Sequence, residues 1–366
     1  MNPQIKIPIY RPALEGNEKK YVNECLDTNW ISSRGDFIEK FEKSFADYIG
    51  CKYATAVSNG TVALHLALVT LGISKGDEVI VPSFTYIASV SSIVYAGAKP
   101  VFVDSLESSW QLDPEDVRKK ITPRTRAIMA VHLYGHPCDM DEIMKIAKEY
   151  NLFVIEDCAE SLGSKYKGKN CGTFGDIATF SFYGNKTLTT GEGGMVVTND
   201  ETLKDRAYHF KMHGLAKYRE YWHDVIGFNY RMTNICAAIG LAQLETVQSR
   251  IERKRKLAEF YINCIKDIPL SYHKETDDVF HSYWMFSITT GYPDEREKLR
   301  EHLKQNGIET RPTFYPVHTM PMFSAKYRKL HVAEKLGWCG INLPSFPTLT
   351  QDEQNYICKK IKEFYS

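Results

Sequence analysis

Between residues 53 and 200 the chain repeats one pattern, a short apolar, β-branched run followed by a stretch with helical spacing. The pairs are "YATAV" with "TVALHLALVTLG", "DEVIVP" with "ASVSSIVYAG", and "RAIMAV" with "MDEIMKIAKEYN", after which come "LFVIED", "ATFSF" and "GMVVTN". Strands that are apolar along their whole length must be covered on both faces, and intervening helices do this around a mostly parallel sheet. The segment therefore predicts an α/β domain. Upstream, "DFIEKFEKSFADYIG" predicts a helix, because Phe37, Ile38, Phe41, Phe45 and Ile49 recur near every 3.6 residues and Gly50 supplies a stop. Downstream, "YRMTNICAAIGLAQLETVQSRIERKRKLAEFYINCI" reads as one long helix or two joined ones. A strand in "SYWMFSIT" and helices in "DEREKLREHLKQNG" and "QDEQNYICKKIKEFY" follow. A chain of 366 residues is long enough for two domains. Residues 1–250 are expected to form the larger, with the N-terminal segment, and residues 251–366 a smaller α/β domain.

Ligands of open parallel sheets bind beyond the carboxyl ends of the strands, so the residues that follow each run carry the most information. After "YATAV" come Ser58, Asn59, Gly60 and Thr61 at the start of a helix. Free N–H groups and the helix dipole suit a phosphate there, although a plain helix cap is as good a reading of these residues alone. After "LFVIE" comes Asp157, a carboxylate too costly to bury without a cation or several donors. It could cap the next helix or pair with a protonated heterocyclic nitrogen. After "ATFSF" comes Lys186, set among glycines and aromatics, where desolvation would lower its pKa and leave a nucleophilic amine. Ser181 offers a hydroxyl to a phosphate. A phosphate cradle, a carboxylate for a ring nitrogen, an aromatic face and a Schiff-base lysine together match the needs of pyridoxal 5'-phosphate (PLP).

The segments "SNGTVALHLAL", "GDEVIVPSFTYIAS", "IEDCAES", "FSFYGNKTLTTGEGG" and "GFNYRMTNICAAIGLAQL" resemble those of the nucleotide-sugar aminotransferase family, PLP enzymes of the aspartate aminotransferase fold. The likeness runs from "WISSRGDFIEKFE" to "NLPSFP", nearly the whole chain. It implies PLP-dependent transferase fold type I, with a mostly parallel seven-stranded sheet flanked by helices and a smaller C-terminal α/β domain. It also implies that Lys186 binds the cofactor, that Asp157 partners the ring nitrogen, and that Gly60, Thr61 and Ser181 contact the phosphate. Tyr86, rather than Phe84, would stack on the ring. Glu160 occupies a position that in the family often holds Gln or His near the phenolic oxygen. Asn229 matches an asparagine that reaches the phosphate of the neighbouring subunit, which implies a homodimer, or a higher oligomer, with its site at the interface.

The implied reaction has two halves, in which glutamate leaves as 2-oxoglutarate and the amino group then passes to the 4-keto group of a nucleotide-linked keto-deoxy sugar. The implied setting is lipopolysaccharide O-antigen biosynthesis. Trp222, His223 and His318 are candidates for holding the nucleotide-sugar, with packing an equal reading for Trp222. Where the family members most like this chain tend to have Gln-Gly, this chain has "KMHGL", so His213 beside Gly214 leaves room for a related keto sugar. PLP-dependent sugar dehydratases of the same fold commonly replace the lysine with histidine, and Lys186 argues against that chemistry. A lyase acting on amino acids and a non-catalytic ligand sensor are further alternatives, the second disfavoured by the full catalytic set.

Other features bound the answer. A net charge of +1 and the lack of a basic arm argue against a nucleic-acid partner or an anionic membrane surface. The charged run "RIERKRK" at 250–256 reads as the solvated face of a helix. Nine cysteines without a CxxC pair suggest buried thiols, and no apolar run is long enough to span a membrane. "MNPQIKIPIYRP" carries no export pattern, so the cytoplasm is expected. His209 and His213 have metal-ligand spacing on a possible helix, but with no third ligand no metal is expected.

Overall fold

The computed structural model describes residues 5–326 and 328–366, so the first four residues of the N-terminal segment and Tyr327 lie outside it. Two helices precede the sheet, α1 (Glu18–Asp27) and α2 (Asp36–Ile49). In α2 the side chains of Phe37, Phe41, Phe45 and Ile49 are buried, at the predicted spacing. Gly50 ends the helix in the left-handed region at φ 89°, its N–H bonded to Ala46 O, where a side chain would be strained.

The next strands in chain order are β1 (Tyr53–Val57), β2 (Glu78–Pro82), β3 (Lys99–Val103), β4 (Thr125–Val131) and β5 (Phe153–Asp157). They are followed by β6 (Lys165–Tyr166), β7 (Lys169–Asn170), β8 (Ile177–Ser181) and β9 (Gly194–Thr198). All but β6 and β7 form one seven-stranded sheet in the order β1-β9-β8-β5-β4-β2-β3. Only β9 runs antiparallel to its neighbours. The strand at 99–103 was not foreseen. Pro100 cannot donate to a ladder, and the sheet accommodates it because β3 is an edge.

The helices α3 (Gly60–Thr70), α4 (Ile87–Tyr95), α5 (Pro114–Lys120), α6 (Met140–Tyr150) and α7 (Glu201–Lys211) connect and cover these strands. Alternate residues of one strand enter different cores. Val79, Val81, Ala127 and Met129 pack with residues of α3 and α4, while Ile80, Ile128 and Ala130 pack with Ile143, Ile146 and Ala147 of α6. This two-sided burial explains why the strands read as continuous apolar runs.

The long helical stretch divides into α8 (Asn234–Glu245) and α9 (Val247–Ile265) at Thr246, whose φ/ψ of −119°/8° is not helical. "RIERKRK" is not wholly a solvated face. Arg250 and Lys254, one turn apart on α9, are buried in line with Ala258 and Tyr261. Arg250 is held by Glu18 and by the carbonyls of Gln243 and Ala13, so tertiary partners overrode the surface expectation.

The C-terminal region contains β10 (Ser271–Tyr272), β11 (Val279–Phe280), β12 (Phe286–Thr289), β13 (Arg311–Pro312) and β14 (Gly340–Leu343), with α10 (Pro293–Gln305), α11 (His331–Cys339) and α12 (Gln351–Tyr365). β10, β12, β14 and β13 make an antiparallel sheet, whereas β11 joins β6 and β7. Its core gathers Tyr261, Phe286, Ile288, Leu303, Ile341 and Ile357, with Ile7 added from the N-terminal segment. All nine cysteines are free and eight are buried. Among the described residues no helix is long and apolar enough to cross a membrane.

Candidate active site

Five parallel strands deliver residues from their carboxyl ends into one cavity of about 700 Å³. Gly60 and Thr61 follow β1, Tyr86 follows β2, Leu133 follows β4, Asp157 and Glu160 come from the end of β5, and Ser181 and Lys186 from β8 and the turn after it. Sequence reasoning singled out every one of these except Leu133. Their convergence follows from the sheet, since parallel neighbours end on one edge.

At the first turn of α3, Asn59 accepts the N–H of Val62, one of the four amides a helix start leaves without a helical partner. Gly60 is required by close approach, because a Cβ there would stand 2.6 Å from that of Ser181. Helix start and serine hydroxyl thus meet at one wall. Tyr86 also lines the cavity, 55% exposed, with its ring 5.4 Å from that of Phe314. Phe84 is buried in the core.

Asp157 is buried and accepts the hydroxyl of Ser89 (2.7 Å) and the amide of Ala159 (3.1 Å). Burial nevertheless pushes its carboxyl above the usual range, the state of an acid that lacks a close cation. Lys186 lies four residues beyond Phe182, its amide bonded to Tyr183 O and its carbonyl accepting the hydroxyl of Tyr10 (2.8 Å). Its Nζ is 3.4 Å from Glu160 Oε1 and 3.9 Å from the centre of the Trp284 ring. Trp284 Nε1–H donates to Asn185 O (2.8 Å), which fixes the indole over the lysine. Glu160 Oε2 accepts the amide of Tyr134 (2.8 Å). Burial raises the Glu160 carboxyl to about 7, against the opposing pull of Lys186.

The residues present fit PLP. A buried acid short of a cation suits a protonated ring nitrogen, the helix start with Ser181 suits a phosphate, and the half-exposed Tyr86 offers a ring face. Asn185 Oδ1, beside the lysine, is buried without a hydrogen-bond partner.

The remaining candidates lie elsewhere. Trp222, His223, His213 and Asn229 are exposed on the loop between α7 and α8, outside the cavity. His223 Nδ1 donates to His213 O (2.9 Å), and Asn229 Oδ1 accepts from Arg231 (2.9 Å). His213 has φ 61° and follows the end of α7, so the helical spacing with His209 is not realised. His209 binds Asp224 instead (2.6 Å). His318 is buried against Ser83 Oγ (2.6 Å) and Glu334 (3.3 Å) and does not line the cavity.

His132, Glu156 and Cys158 are close enough to hold an ion. The two Glu156 oxygens, however, already accept from His132 and from the amides of Gly172, Phe174 and Gly175. Such saturation makes the cluster a structural tie.

Sequence reading missed Arg311, Trp284 and Tyr134. Arg311 and Lys186 are the only cationic side chains lining the cavity among the described residues. "SYWMFSIT" reads only as a strand, and nothing local marks it or "RPTF" as facing a strand edge about a hundred residues away.

The chain matches the model of the DegT/DnrJ/EryC1/StrS aminotransferase family over residues 12–362. It is 65% identical to GDP-perosamine synthase of Escherichia coli O157:H7, covering 98% of this chain and 99% of that one, and 50% identical to the enzyme of that name in Vibrio cholerae, covering 98% and 99%. Among solved structures, the aminotransferase from Psychrobacter cryohalolentis superposes with a TM-score of 0.91 at 34% identity, over 96% of this chain and 97% of that one. Sheet, strand-end cavity and lysine therefore belong to a member of the DegT/DnrJ/EryC1/StrS aminotransferase family, a PLP-dependent aminotransferase.

Proposed function

We propose that this enzyme moves an amino group from glutamate to C-4 of GDP-4-keto-6-deoxymannose, giving GDP-perosamine. The observation that carries the reading is 65% identity over 98% of the chain to a protein named GDP-perosamine synthase, with Lys186 in place at the cavity wall. Bound PLP supplies an electron sink that lets a proton leave and return at the carbon bearing nitrogen.

The chain's own residues do the rest. Lys186 holds the cofactor through its amine and, once freed, carries the proton. Asp157 keeps a ring nitrogen positive, since its buried carboxyl gains most from a cation. Gly60, Thr61 and Ser181 anchor the phosphate while Tyr86 fixes the ring plane. Arg311 is the cation suited to a carboxylate of glutamate, because its only ion-pair partner among the described residues, Glu309, is 3.4 Å away and its side chain is more than half exposed.

A second copy of the chain completes the site through Asn229. Support comes from the same loop, which exposes Tyr221 and Ile226 above 90% together with Tyr218, an apolar surface suited to a partner. The loop's Trp222, His223 and His213 then lie where a nucleotide-sugar bridging two copies would be met, and His318 supports the strand-end loop through Ser83. The large and small domains divide near residue 250, inside α9. The enzyme works in the cytoplasm, where its thiols stay reduced, and serves O-antigen assembly.

The test is purified protein loaded with PLP, glutamate and GDP-4-keto-6-deoxymannose, followed by mass spectrometry of the sugar nucleotide. Formation of GDP-perosamine is expected. Amination only of a uridine- or thymidine-linked keto sugar would replace the substrate, and failure of glutamate to yield the pyridoxamine spectrum would overturn the transaminase reading.

A further inference from the structure

The geometry points to Glu160 as the group that takes the proton Lys186 gives up, so that the amine becomes a nucleophile without exchanging charge with solvent. The inference rests on the reading of Lys186 as the reactive amine. Two groups that attract a cation face Nζ, the Glu160 carboxylate at 3.4 Å and the face of Trp284 at 3.9 Å. Attack on a carbonyl carbon needs the neutral amine, so one proton must leave. Glu160 Oε1 is the acceptor within reach, since Asp157 is engaged by Ser89 and Ala159.

The transfer balances within the pair: Lys186 ammonium and Glu160 carboxylate become Lys186 amine and Glu160 carboxylic acid, and the return step reverses both. Site charge is unchanged, which matters in a cavity wall where an isolated charge is costly.

Three elements face Glu160. From the turn after β4 comes Tyr134, whose amide donates to Oε2 and whose phenol accepts the Phe314 amide. From the end of β5 comes Asp157, a second acid that disfavours another negative charge, and from the turn after β8 comes Lys186. Burial and Asp157 push the acid up, Lys186 and the Tyr134 amide pull it down, and the balance falls at about 7. Proton exchange is most effective when a group titrates near working pH. Tyr134 also stacks on Trp284, with ring centres 6.0 Å apart and planes 7° from parallel, so the residue that orients the acid also backs the indole.

The test is infrared difference spectroscopy at pH 8 on protein carrying carbon-13 glutamate, before and after loading with PLP. A new protonated-carboxyl band that shifts with the label is expected in wild type and should be missing from Glu160→Gln. Glu160→Gln should also lose about 10²-fold in kcat with KM for glutamate within about twofold. As a control for folding, unloaded Lys186→Met should already show the band at pH 8, having lost the cation that keeps the acid ionised. The proposal is overturned if loaded wild type lacks the band although its colour shows that the lysine has reacted, if Glu160→Gln retains it, or if Lys186→Met lacks it. Failure of borohydride to trap the cofactor on Lys186 would instead count against the proposed function.

Discussion

Lys186 and Lys254 are both withdrawn from bulk water, and their surroundings give them opposite roles. Lys186 stands at a cavity wall between a carboxylate and an indole face. Lys254, on α9, donates among the described residues to the carbonyls of Trp284 (2.8 Å) and Ser345 (2.5 Å), and burial lowers its amine to about 7. A neutral amine has two N–H bonds, and Lys254 has two carbonyls to receive them. Its charge is expendable, whereas its hydrogen bonds tie Trp284 to the segment after β14. Desolvation by itself thus makes a tie; a reactive amine also needs open space for a carbonyl and a nearby group to take its proton.

The largest test of this contrast is Lys186→Ala, which should lower turnover by more than about 10⁴-fold while leaving the melting temperature within a few degrees, because the change removes a nucleophile at a cavity wall. Wild-type-like activity would refute the role. Lys254→Met should act on stability and its pH dependence. Between pH 7 and the ordinary lysine value of 10.5 the unfolded chain binds a proton at Lys254 that the folded chain does not, so wild-type stability rises with pH across that window and levels off below 7, where both states carry the proton. The gain across the whole window is on the order of 5 kcal/mol, of which about 3 kcal/mol falls below pH 9.5. Urea unfolding at pH 6.5 and 9.5 should show this rise in wild type and much less in the variant; equal rises in both would remove the argument.

Arg311, the other cation at the cavity, tests whether a solvated charge there binds substrate. Arg311→Ala should raise KM for glutamate by about 10- to 100-fold, the loss of a charge-assisted hydrogen bond or two, with kcat changed far less. A fall in kcat alone would move Arg311 away from the carboxylate. Asn229→Ala should have the smallest effect, weakening PLP retention by about tenfold, read from cofactor absorbance after dialysis. An active monomer with full cofactor affinity would separate Asn229 from the site.

Much of this site was legible because it is built from strand ends. Asp157, Ser181 and Lys186 each follow an apolar run that could only be a covered strand, and parallel strands bring such residues together whatever their distance in sequence. β3 was missed because Lys99 and Pro100 spoil the apolar run, and an edge strand tolerates both. The charges of 250–256 were misassigned because composition does not say which side of a helix faces inward. That was decided by Glu18 and by the carbonyls of Gln243, Trp284 and Ser345, none of them local to the whole run. His213 was placed on a helix that ends two residues earlier.

The sequence by itself determined the layered α/β architecture and the residues standing at the strand ends, because periodicity and strand termination are local properties of a chain. Only the tertiary structure decided that Lys186 meets a carboxylate where Lys254 meets two carbonyls, that Trp284 lies over Lys186, and that Arg311 lines the same cavity. Those choices rest on contacts between separate segments, 26 residues apart for Lys186 and Glu160 and about 100 for Lys186 and Trp284, and burial and proton partnership arise only when such segments pack.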